Sequence, residues 1–395
     1  MRATRGFPVA FQEHIDETLD AVDAPAPDSR KKPDAPPKLT SASWKYAVKR
    51  SLREFLSDGG TDLAAMLTYF TVLSLAPSML AVFSIISLVL ASNADAVTTL
   101  AEDFTATYVP ADYQGLVIDL IDTITVSTTG GLLALIIGVG TALWSASAYV
   151  KAFSRSTNTI YERAEGRGLI KLTGTMLATT LGLLLGIVLI LISLVLNETV
   201  VSGLLGPVAE SFGLGGVLDF LMGTFLPVWA WVKWPVILGL LIVLIAVLYY
   251  FTPNVRQPKF RWVSLGSIVA IIGIILAAGA LYLYFSYLGG YSSYGTIGGV
   301  MALLFTLWVF NIVLLLGVEI DAEVERAREL QADIAAEDNI QLPPRDTDKV
   351  EKQQKVREQL ESDGRELRAT HNGDDAENPA DESEGRSGST AHRKQ

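Results

Sequence analysis

The sequence predicts an all-α protein, a polytopic bundle of transmembrane helices. Half of its 395 residues (50%) are hydrophobic, and the mean hydropathy is +0.36. Several near-uncharged runs are long enough to cross about 30 Å of hydrocarbon, which soluble proteins rarely carry. The apolar residues in these runs are continuous and do not alternate with polar ones, so the runs predict helices and not the strands of a barrel.

About six runs reach the length of roughly 20 residues that one crossing needs. They are Leu63 to Ala91, Gly130 to Val150, Leu169 to Leu196, Pro235 to Phe251, Trp262 to Phe285 and Thr296 to Val318. We therefore expect a membrane domain over residues 44–330 between two polar segments. Residues 1–43 form a Pro-rich arm, and residues 331–395 form a charged tail rich in Asp, Glu, Ser and Gly. Both compositions are typical of disorder.

Basic residues near the span ends predict the orientation, because Lys and Arg are retained on the cytoplasmic side. They precede the first span and occupy the second and fourth loops: Lys38, Lys45, Lys49, Arg50, Arg53, Lys151, Arg155, Arg163, Arg167, Lys171, Arg256, Lys259 and Arg261. The first and fifth loops carry no basic residue, and the third carries only Lys233. We therefore expect a multi-pass protein with both termini in the cytoplasm.

The segment 214–232, "LGGVLDFLMGTFLPVWAWV", is almost apolar enough to be a further span. A crossing here would move Arg256, Lys259 and Arg261 to the outside, against the charge rule. The segment also carries Asp219 and Pro227. We expect it to be an interfacial or a re-entrant helix.

Several kinds of chemistry are disfavoured by composition. The chain has no cysteine, and its three histidines, His14, His371 and His392, lie in the polar arm and tail. No His/Asp metal cluster, phosphate-binding loop or basic aromatic face is visible. The net charge of -11 also disfavours nucleic acid as a partner. We expect no enzyme activity, no cofactor, no metal site and no nucleic-acid partner.

Small residues recur at four-residue spacing on two spans: Gly174, Ala178, Gly182 and Gly186 on the third, and Gly130, Ala134, Gly138, Ala142 and Ala146 on the second. Lipid gives helices no hydrophobic reason to associate, so such ladders serve to let two backbones approach closely. We expect contacts within one bundle. A homo-oligomer formed through these ladders is the alternative.

Four stretches resemble the YihY/BrkB family of bacterial inner-membrane proteins: "YFTVLSLAPSML", "ALWSASAYVKAFSRSTNTIYE", "LYYFTPNVRQPKFRW" and "YGTIGGVMALLFTLWVFNIVLLLGVEIDAE". The resemblance extends from about Trp44 to Arg328 in order and spacing. The family's motif positions correspond to Ser74 with Pro77, Asn158 with Tyr161, Pro253 with Asn254, Tyr294 with Gly295, and Gly317 with Glu319. The resemblance implies a helical domain of the bacterial inner membrane. An old label for the family is a ribonuclease, which the missing metal and acid–base residues disfavour.

Glu319 stands where the last span ends, and the chain departs from the family by carrying Asp321 two residues later. One interpretation makes Glu319 an anchor that is hydrated or pairs with Lys151, Arg155 or Arg256. The other makes it a gate or an ion site. Pro77 in the first span removes a backbone hydrogen bond and predicts a kink, to which Ser74 can adapt.

Two functions remain open. In a transporter or permease for a small solute or a lipid, polar groups would line a path: Ser74, Thr141, Ser145, Ser147, Ser193 and Asn311, with Glu319 at its inner end. In a scaffold or envelope-integrity factor, loops and tails would hold partners. No span carries a charge near its centre, which disfavours ion-coupled transport. We prefer a permease whose partners are membrane lipids and a solute or lipid substrate.

Overall fold

The computed structural model describes residues 7–29, 31–33, 38–89, 131–198, 215–257, 264–287 and 295–377, with isolated positions 102, 105, 106, 114, 115, 118 and 201. The helices are α1 Phe7–Asp20, α2 Ser41–Ser57, α3 Gly60–Val89, α4 Gly131–Ile160, α5 Leu169–Val195, α6 Gly215–Phe220, α7 Leu226–Phe251, α8 Leu265–Tyr287, α9 Gly295–Gln331 and α10 Asp348–Glu377. Within the described ranges the only β pairing is an isolated bridge between Val255 and Pro344. The predicted fold class is confirmed.

Five helical segments of the described chain are long and apolar enough to cross a membrane: Gly60–Met79, Leu169–Val195, Gly215–Phe251, Leu265–Tyr284 and Gly298–Gln331. They coincide with five of the predicted spans. The remaining prediction, Gly130 to Val150, falls on α4, where Gly130 and the side chains of 131–139 lie outside the described residues. The expected bundle is therefore observed, with the span count matched approximately.

Residues 215–232, the described part of the segment 214–232, form neither a separate crossing nor a re-entrant turn. A π-helical turn, Leu221–Phe225, joins α6 to α7, so the helical segment runs continuously for 37 residues from Gly215 to Phe251. At 1.5 Å per residue it is about 55 Å long, more than one crossing requires. The described part of the segment is thus an extension of α7 and not a separate interfacial or re-entrant helix.

Close backbone approach occurs where α8 meets α9 and at one point between α5 and α7. A Cβ added to Gly266 would overlap the carbonyl oxygen of Gly317, and one added to Gly186 would overlap the side chain of Leu244. By contrast, a Cβ added to Gly174 or Gly182 would meet nothing within 4 Å. Of the ladder predicted on α5, Gly186 therefore makes a contact within the chain, whereas Gly174 and Gly182 lie on an exposed face of the helix.

The ladder predicted on α4 is buried where its side chains are described. Ala142 and Ala146 pack with Leu184 and Val188 of α5. Gly138 and Ala134 belong to the part of α4 whose side chains lie outside the described residues, so the prediction is tested only at its two last positions.

One end of the bundle, which we call the basic end, comprises α2, the loop 161–168, the loop 252–257 and the chain after residue 318. Here the arm and the tail differ from the disorder expected of them. Lys32 of the arm is buried, and its Nζ lies 3.0 Å from Glu325 Oε1 and 2.8 Å from Glu329 Oε1. Ile340 and Leu342 of the tail are fully buried in the main core. The packed part of the chain therefore extends beyond residue 330, to Val350 and α10.

Candidate functional site

A cavity of about 390 Å³ lies inside the bundle, between α3, α4, α5, α7 and α9. Its walls are mostly aliphatic, and the polar side chains that line it are Thr71, Ser74, Ser78, Tyr149, Thr180 and Asn311. Small-molecule sites are typically cavities of about 300 to 1,000 Å³ with a few polar groups in an apolar wall. The cavity is therefore the candidate site, and it includes Ser74 and Asn311 from the sequence-based prediction.

Asn311 fixes the polar part of the wall. Its Nδ2 donates to Thr68 Oγ1 at 3.2 Å, and its Oδ1 accepts from the Tyr149 hydroxyl at 3.1 Å. These contacts join α9 to α3 and to α4, and they hold the buried amide in one orientation. Because an amide nitrogen carries two hydrogens, one N–H of Asn311 is left without an acceptor among the described residues.

Ser74 is the second polar group of interest in the wall. It is 5% exposed, and its Oγ has no hydrogen-bond partner among the described residues. The hydroxyls of Thr71 and Thr180, in contrast, donate to the carbonyl oxygens of Leu67 and Met176 in their own helices. A buried hydroxyl without a partner costs free energy. A ligand in the cavity that hydrogen-bonds Ser74 would remove that cost.

The cavity is not sealed from the side of the bundle. Leu75 of α3 and Ile187 of α5 both line it, and each side chain is 39% exposed. Both residues belong to segments of membrane-spanning length. The partly exposed side of the cavity is therefore apolar and lies on segments of membrane-spanning length.

The other residues proposed for a polar path do not line this cavity. Ser147 and Ser193 donate to carbonyl oxygens of their own helices, and Thr141 is exposed on α4. Ser145 is also absent from the cavity wall. Pro77, less than one turn beyond Ser74, lies within α3, which remains helical from Gly60 to Val89.

Glu319 lies more than one turn beyond Leu314, the last residue of α9 that lines the cavity. Leu315, Val318 and Glu319 are all buried and lie beyond the cavity along α9, toward the basic end. Glu319 is 1% exposed, and its Oε2 has no hydrogen-bond partner among the described residues. It is therefore not a hydrated anchor.

The basic residues proposed as partners of Glu319 have other contacts. Lys151 Nζ lies 4.2 Å from the centroid of the Trp144 ring, and the Arg155 guanidinium carbon lies 5.3 Å from that of Phe70. Arg256 lines a separate pocket near Arg345. The anchor interpretation of Glu319 is thus contradicted, because the helix packs the carboxyl inward.

Several other acidic residues lie near Glu319. Burial raises the pKa of the Asp58 carboxyl to about 7, and the negative charges of Glu54, Glu162 and Glu323 add to the effect. The Glu323 carboxylate is balanced by two cations, with Oε1 at 3.0 Å from Arg326 Nε and Oε2 at 3.1 Å from Arg50 Nε. Among the described residues, no group of three or more His, Asp and Glu side chains is arranged to hold a metal ion.

Asn158 and Asn254, which the sequence placed in two separate motifs, meet at the basic end. Asn158 Oδ1 accepts from the Asn254 backbone N–H at 2.7 Å. Asn254 Nδ2 donates to the carbonyl oxygens of Ala164 and Asp346, each at 3.0 Å. The pair thus ties the loop after α4 to the loop after α7 and to the chain that follows α9.

Arg163 holds the same chain, residues 340–346, which we call the strap. Its side chain is almost fully buried and donates to the carbonyl oxygens of Ile340 and Leu342. Burial lowers the pKa of the Arg163 guanidinium. Together, Asn158, Asn254, Arg163 and the strap form a hydrogen-bonded layer, here called the clasp, that covers the basic end of the bundle.

The remaining predicted positions serve packing or lie outside the described residues. Tyr161 is buried, and its hydroxyl accepts from Gln257 Nε2 at 3.2 Å. Pro253 is also buried. Gly317 lies against Gly266 and the Tyr249 hydroxyl. Gly295 is the first residue of α9, and Tyr294 lies outside the described residues.

Sequence reasoning missed Thr68, Tyr149 and Arg163. Thr68 and Tyr149 lie in apolar runs, where a hydroxyl usually bonds its own helix or marks an interface. A signal existed for Arg163, because it lies only two residues after Tyr161, the end of the Asn158 and Tyr161 motif. In the sequence analysis, Arg163 was counted only among the basic residues that predict the orientation in the membrane.

Comparisons with known proteins agree with the resemblance seen in the sequence. A family model described as Virulence factor BrkB matches residues 51–340. The ribonuclease-like protein YfkH of Bacillus subtilis is 30% identical over 284 residues, which cover 72% of this chain and 96% of YfkH. A UPF0761 membrane protein of Chromohalobacter salexigens is 30% identical over 294 residues, which cover 72% of this chain and 66% of that protein. No solved structure matches the chain.

Proposed function

Because the chain belongs to the BrkB virulence-factor family of membrane proteins, we propose that it is a permease that binds an apolar or amphiphilic solute, or a lipid, in the cavity between α3 and α9. The observation that carries the proposal is the pair of unused hydrogen-bonding groups in the cavity wall. These are the Ser74 hydroxyl, which has no partner among the described residues, and the free N–H of Asn311. These two groups favour a ligand that carries one polar group able to form hydrogen bonds.

The lining residues limit the chemistry of the substrate. No charged side chain lines the cavity where it is described, and the wall between the polar groups is aliphatic. An ion or a strongly charged solute would lose its hydration there without compensation. A molecule with a hydrophobic body and a carbonyl or hydroxyl group fits this wall, and it can enter past Leu75 and Ile187.

The proposal includes an orientation in the bacterial inner membrane. The basic end faces the cytoplasm, as the positions of Lys and Arg favour, and the clasp closes the cavity on that side. Transport then requires the layer of Leu315, Val318 and Glu319 to open toward the cytoplasm. Glu319 is the gate residue in this proposal.

The first test is a thermal-shift screen of the purified protein against small solutes and lipids. A ligand that binds only the folded state raises the apparent stability, by about 2.7 kcal/mol at one hundred times its dissociation constant. We expect shifts from one class of amphiphile, reduced in Ser74→Ala and Asn311→Leu. Thr141→Val is the matched control, because Thr141 is a polar residue of the bundle that does not line the cavity.

A shift that is equal in Ser74→Ala, Asn311→Leu and Thr141→Val would contradict binding in the cavity. A screen without any shift would favour the second candidate function, a membrane scaffold. That candidate is supported by α10, in which residues 361–370 are all exposed and available to a partner.

A further inference from the structure

A second, smaller pocket lies at the basic end, at the surface of the protein. It has a volume of about 250 Å³ and is lined by Val22, Lys171, Arg256, Pro344, Arg345, Asp346 and Thr347. Three of these residues are basic and one is acidic, so the lining carries a net positive charge. The pocket shares no lining residue with the cavity, and its function does not depend on the permease proposal.

The three basic side chains differ in the hydrogen bonds and ion pairs that they make. Arg256 is exposed, and its guanidinium has no hydrogen bond or ion pair within the described chain; only its backbone N–H is used, toward Pro343. Arg345 donates to the carbonyl oxygens of Val255 at 2.8 Å and Tyr250 at 2.6 Å, and to no carboxylate of the described chain. Burial lowers the pKa of Arg345. Among the described residues, both guanidinium groups therefore lack a compensating negative charge.

Arg345 is also held rigidly. Its guanidinium carbon lies 4.8 Å from the centroid of the Tyr250 ring, and its two carbonyl contacts fix the plane of the group. A guanidinium that is already oriented loses little side-chain entropy when it binds an anion. This makes Arg345 the fixed part of the pocket, while Lys171 and Arg256 have exposed side chains that can move toward a ligand.

The acidic residue in the lining is already engaged. Asp346 Oδ2 accepts from Lys171 Nζ at 2.7 Å, and its Oδ1 accepts from the Asp348 backbone N–H at 3.0 Å. Asp348, outside the lining, adds a longer ion pair, with its Oδ2 at 3.7 Å from Lys171 Nζ. Within the lining itself, one carboxylate faces three cations. An anion with several acceptor oxygens would compete with Asp346 for Lys171 and would pair with both arginines.

The pocket lies where a membrane-spanning helix begins. Lys171 is the third residue of α5, and its neighbours Leu169 and Ile170 are 80% and 89% exposed. Aliphatic side chains this exposed at the start of a span are suited to contact with acyl chains. Basic pockets at this depth bind the head groups of anionic lipids.

We propose that the pocket formed by Lys171, Arg256 and Arg345 binds a phosphate group. The shared chemistry fits the head group of an anionic phospholipid and a free phosphate alike. The exposed Leu169 and Ile170 favour the lipid, because they extend the site into the hydrocarbon region.

The test measures the thermal stability of the full-length protein in detergent during titration with dioleoylphosphatidylglycerol, with dioleoylphosphatidylcholine and with inorganic phosphate. We expect phosphatidylglycerol to raise the melting temperature. In the double variant K171Q/R256Q its apparent affinity should fall by about fivefold for each basic residue removed. Lys352→Gln, an exposed residue of α10 outside the pocket, is the control for a general loss of positive charge.

Asp346→Asn should strengthen anion binding, which is a result that misfolding of the variant cannot produce. The amide keeps an oxygen for the Asp348 N–H but removes the shorter of the two ion pairs of Lys171 and one negative charge from the lining, so anion binding should become tighter. A response to inorganic phosphate that matches the lipid's and depends on the same residues would identify a free phosphate as the ligand. A response to phosphatidylglycerol alone would identify the lipid.

The proposal would be overturned if K171Q/R256Q bound phosphatidylglycerol as wild type does, or if phosphatidylcholine produced the same shift. It would also be overturned if neither phosphatidylglycerol nor inorganic phosphate changed the melting temperature.

Discussion

The cavity and the clasp use polar groups in opposite ways. In the clasp, Asn254 uses its backbone N–H, its side-chain N–H groups and its Oδ1, and Arg163 donates to two backbone carbonyls. In the cavity, the Ser74 hydroxyl has no partner among the described residues. Polar groups whose hydrogen bonds are all made hold chain segments together. A polar group without a hydrogen-bond partner inside an apolar wall is suited to bind a ligand. The two regions should therefore respond differently to substitution.

Arg163→Met should have the largest effect on stability. It leaves the buried carbonyls of Ile340 and Leu342 without their donor, and each unsatisfied group costs about 1 to 3 kcal/mol. We expect the strap to detach and Arg345 within it to become sensitive to trypsin. Limited trypsin digestion and the melting temperature in detergent measure both effects. Arg365→Met, on the exposed part of α10, should leave both unchanged.

If Arg163→Met retained wild-type stability and trypsin resistance, the clasp would not be a structural closure. The proposed difference between a structural clasp and a ligand-binding cavity would then not hold.

Gly317→Ala should have the next largest effect, because Gly317 lies in the layer between the two regions. Its added methyl group would overlap the Tyr249 hydroxyl and crowd the Gly266 backbone. Overpacking of this kind costs about 1 to 3 kcal/mol. Gly182→Ala is the matched variant, since nothing lies within 4 Å of its added Cβ. The melting temperature should fall for Gly317→Ala alone.

Equal stability of the two glycine variants would show that α8 and α9 do not approach as closely as described. A large loss in Gly182→Ala would instead indicate that this face of α5 is covered, by a second copy of the chain or another protein.

Asp58 should make stability depend on pH. Its pKa is about 7 in the folded protein, against about 4 in an unfolded chain. Between these values the folded chain binds a proton that the unfolded chain lacks, so the free energy of unfolding rises as the pH falls from 7 toward 4. This stabilisation is lost again as the pH rises through 7.

The measurement is the melting temperature at pH 5 and pH 8 for wild type and Asp58→Asn. The asparagine variant should show the smaller difference between the two pH values. Asp363→Asn, an exposed carboxylate of α10, should behave as wild type. An unchanged difference in Asp58→Asn would place the Asp58 carboxyl in contact with water.

Ser74→Ala should have the smallest effect on stability. The substitution removes a buried hydroxyl that has no partner, so the melting temperature should stay the same or rise slightly. Asn311→Leu, in contrast, removes the partner of Thr68 and Tyr149 and should lower it. A marked loss of stability in Ser74→Ala would mean that the hydroxyl has a structural partner.

The sequence predicted much of the membrane architecture, because continuous apolar runs of spanning length can form only helices in lipid. Ser74 and Asn311 were also proposed from the sequence, since a polar residue within an apolar run is conspicuous, and both line the cavity. The sequence could not place Thr68 and Tyr149 beside Asn311, because those contacts join distant parts of the chain. Nor could spacing distinguish Gly182 from Gly186, which share one ladder but have opposite surroundings.

The strap illustrates a different limit of sequence reasoning. Residues 340–346 look like a polar tail with two prolines, yet Ile340 and Leu342 are fully buried. Their burial depends on Arg163 and Asn254, which bind backbone carbonyls and therefore leave no compositional signal in the strap itself. The predicted boundary at residue 330 followed from composition, and it missed this packing for that reason.

The most direct test of the account uses the absence of cysteine from the chain, which makes Ser74→Cys a single-thiol variant. In oriented vesicles, we expect an apolar maleimide that partitions into lipid to label this thiol. A charged, membrane-impermeant thiol reagent added at the basic end should not label it. This result would show a cavity open toward the membrane and closed by the clasp. Rapid labelling by the charged reagent from the basic end, or no labelling by the apolar one, would contradict it.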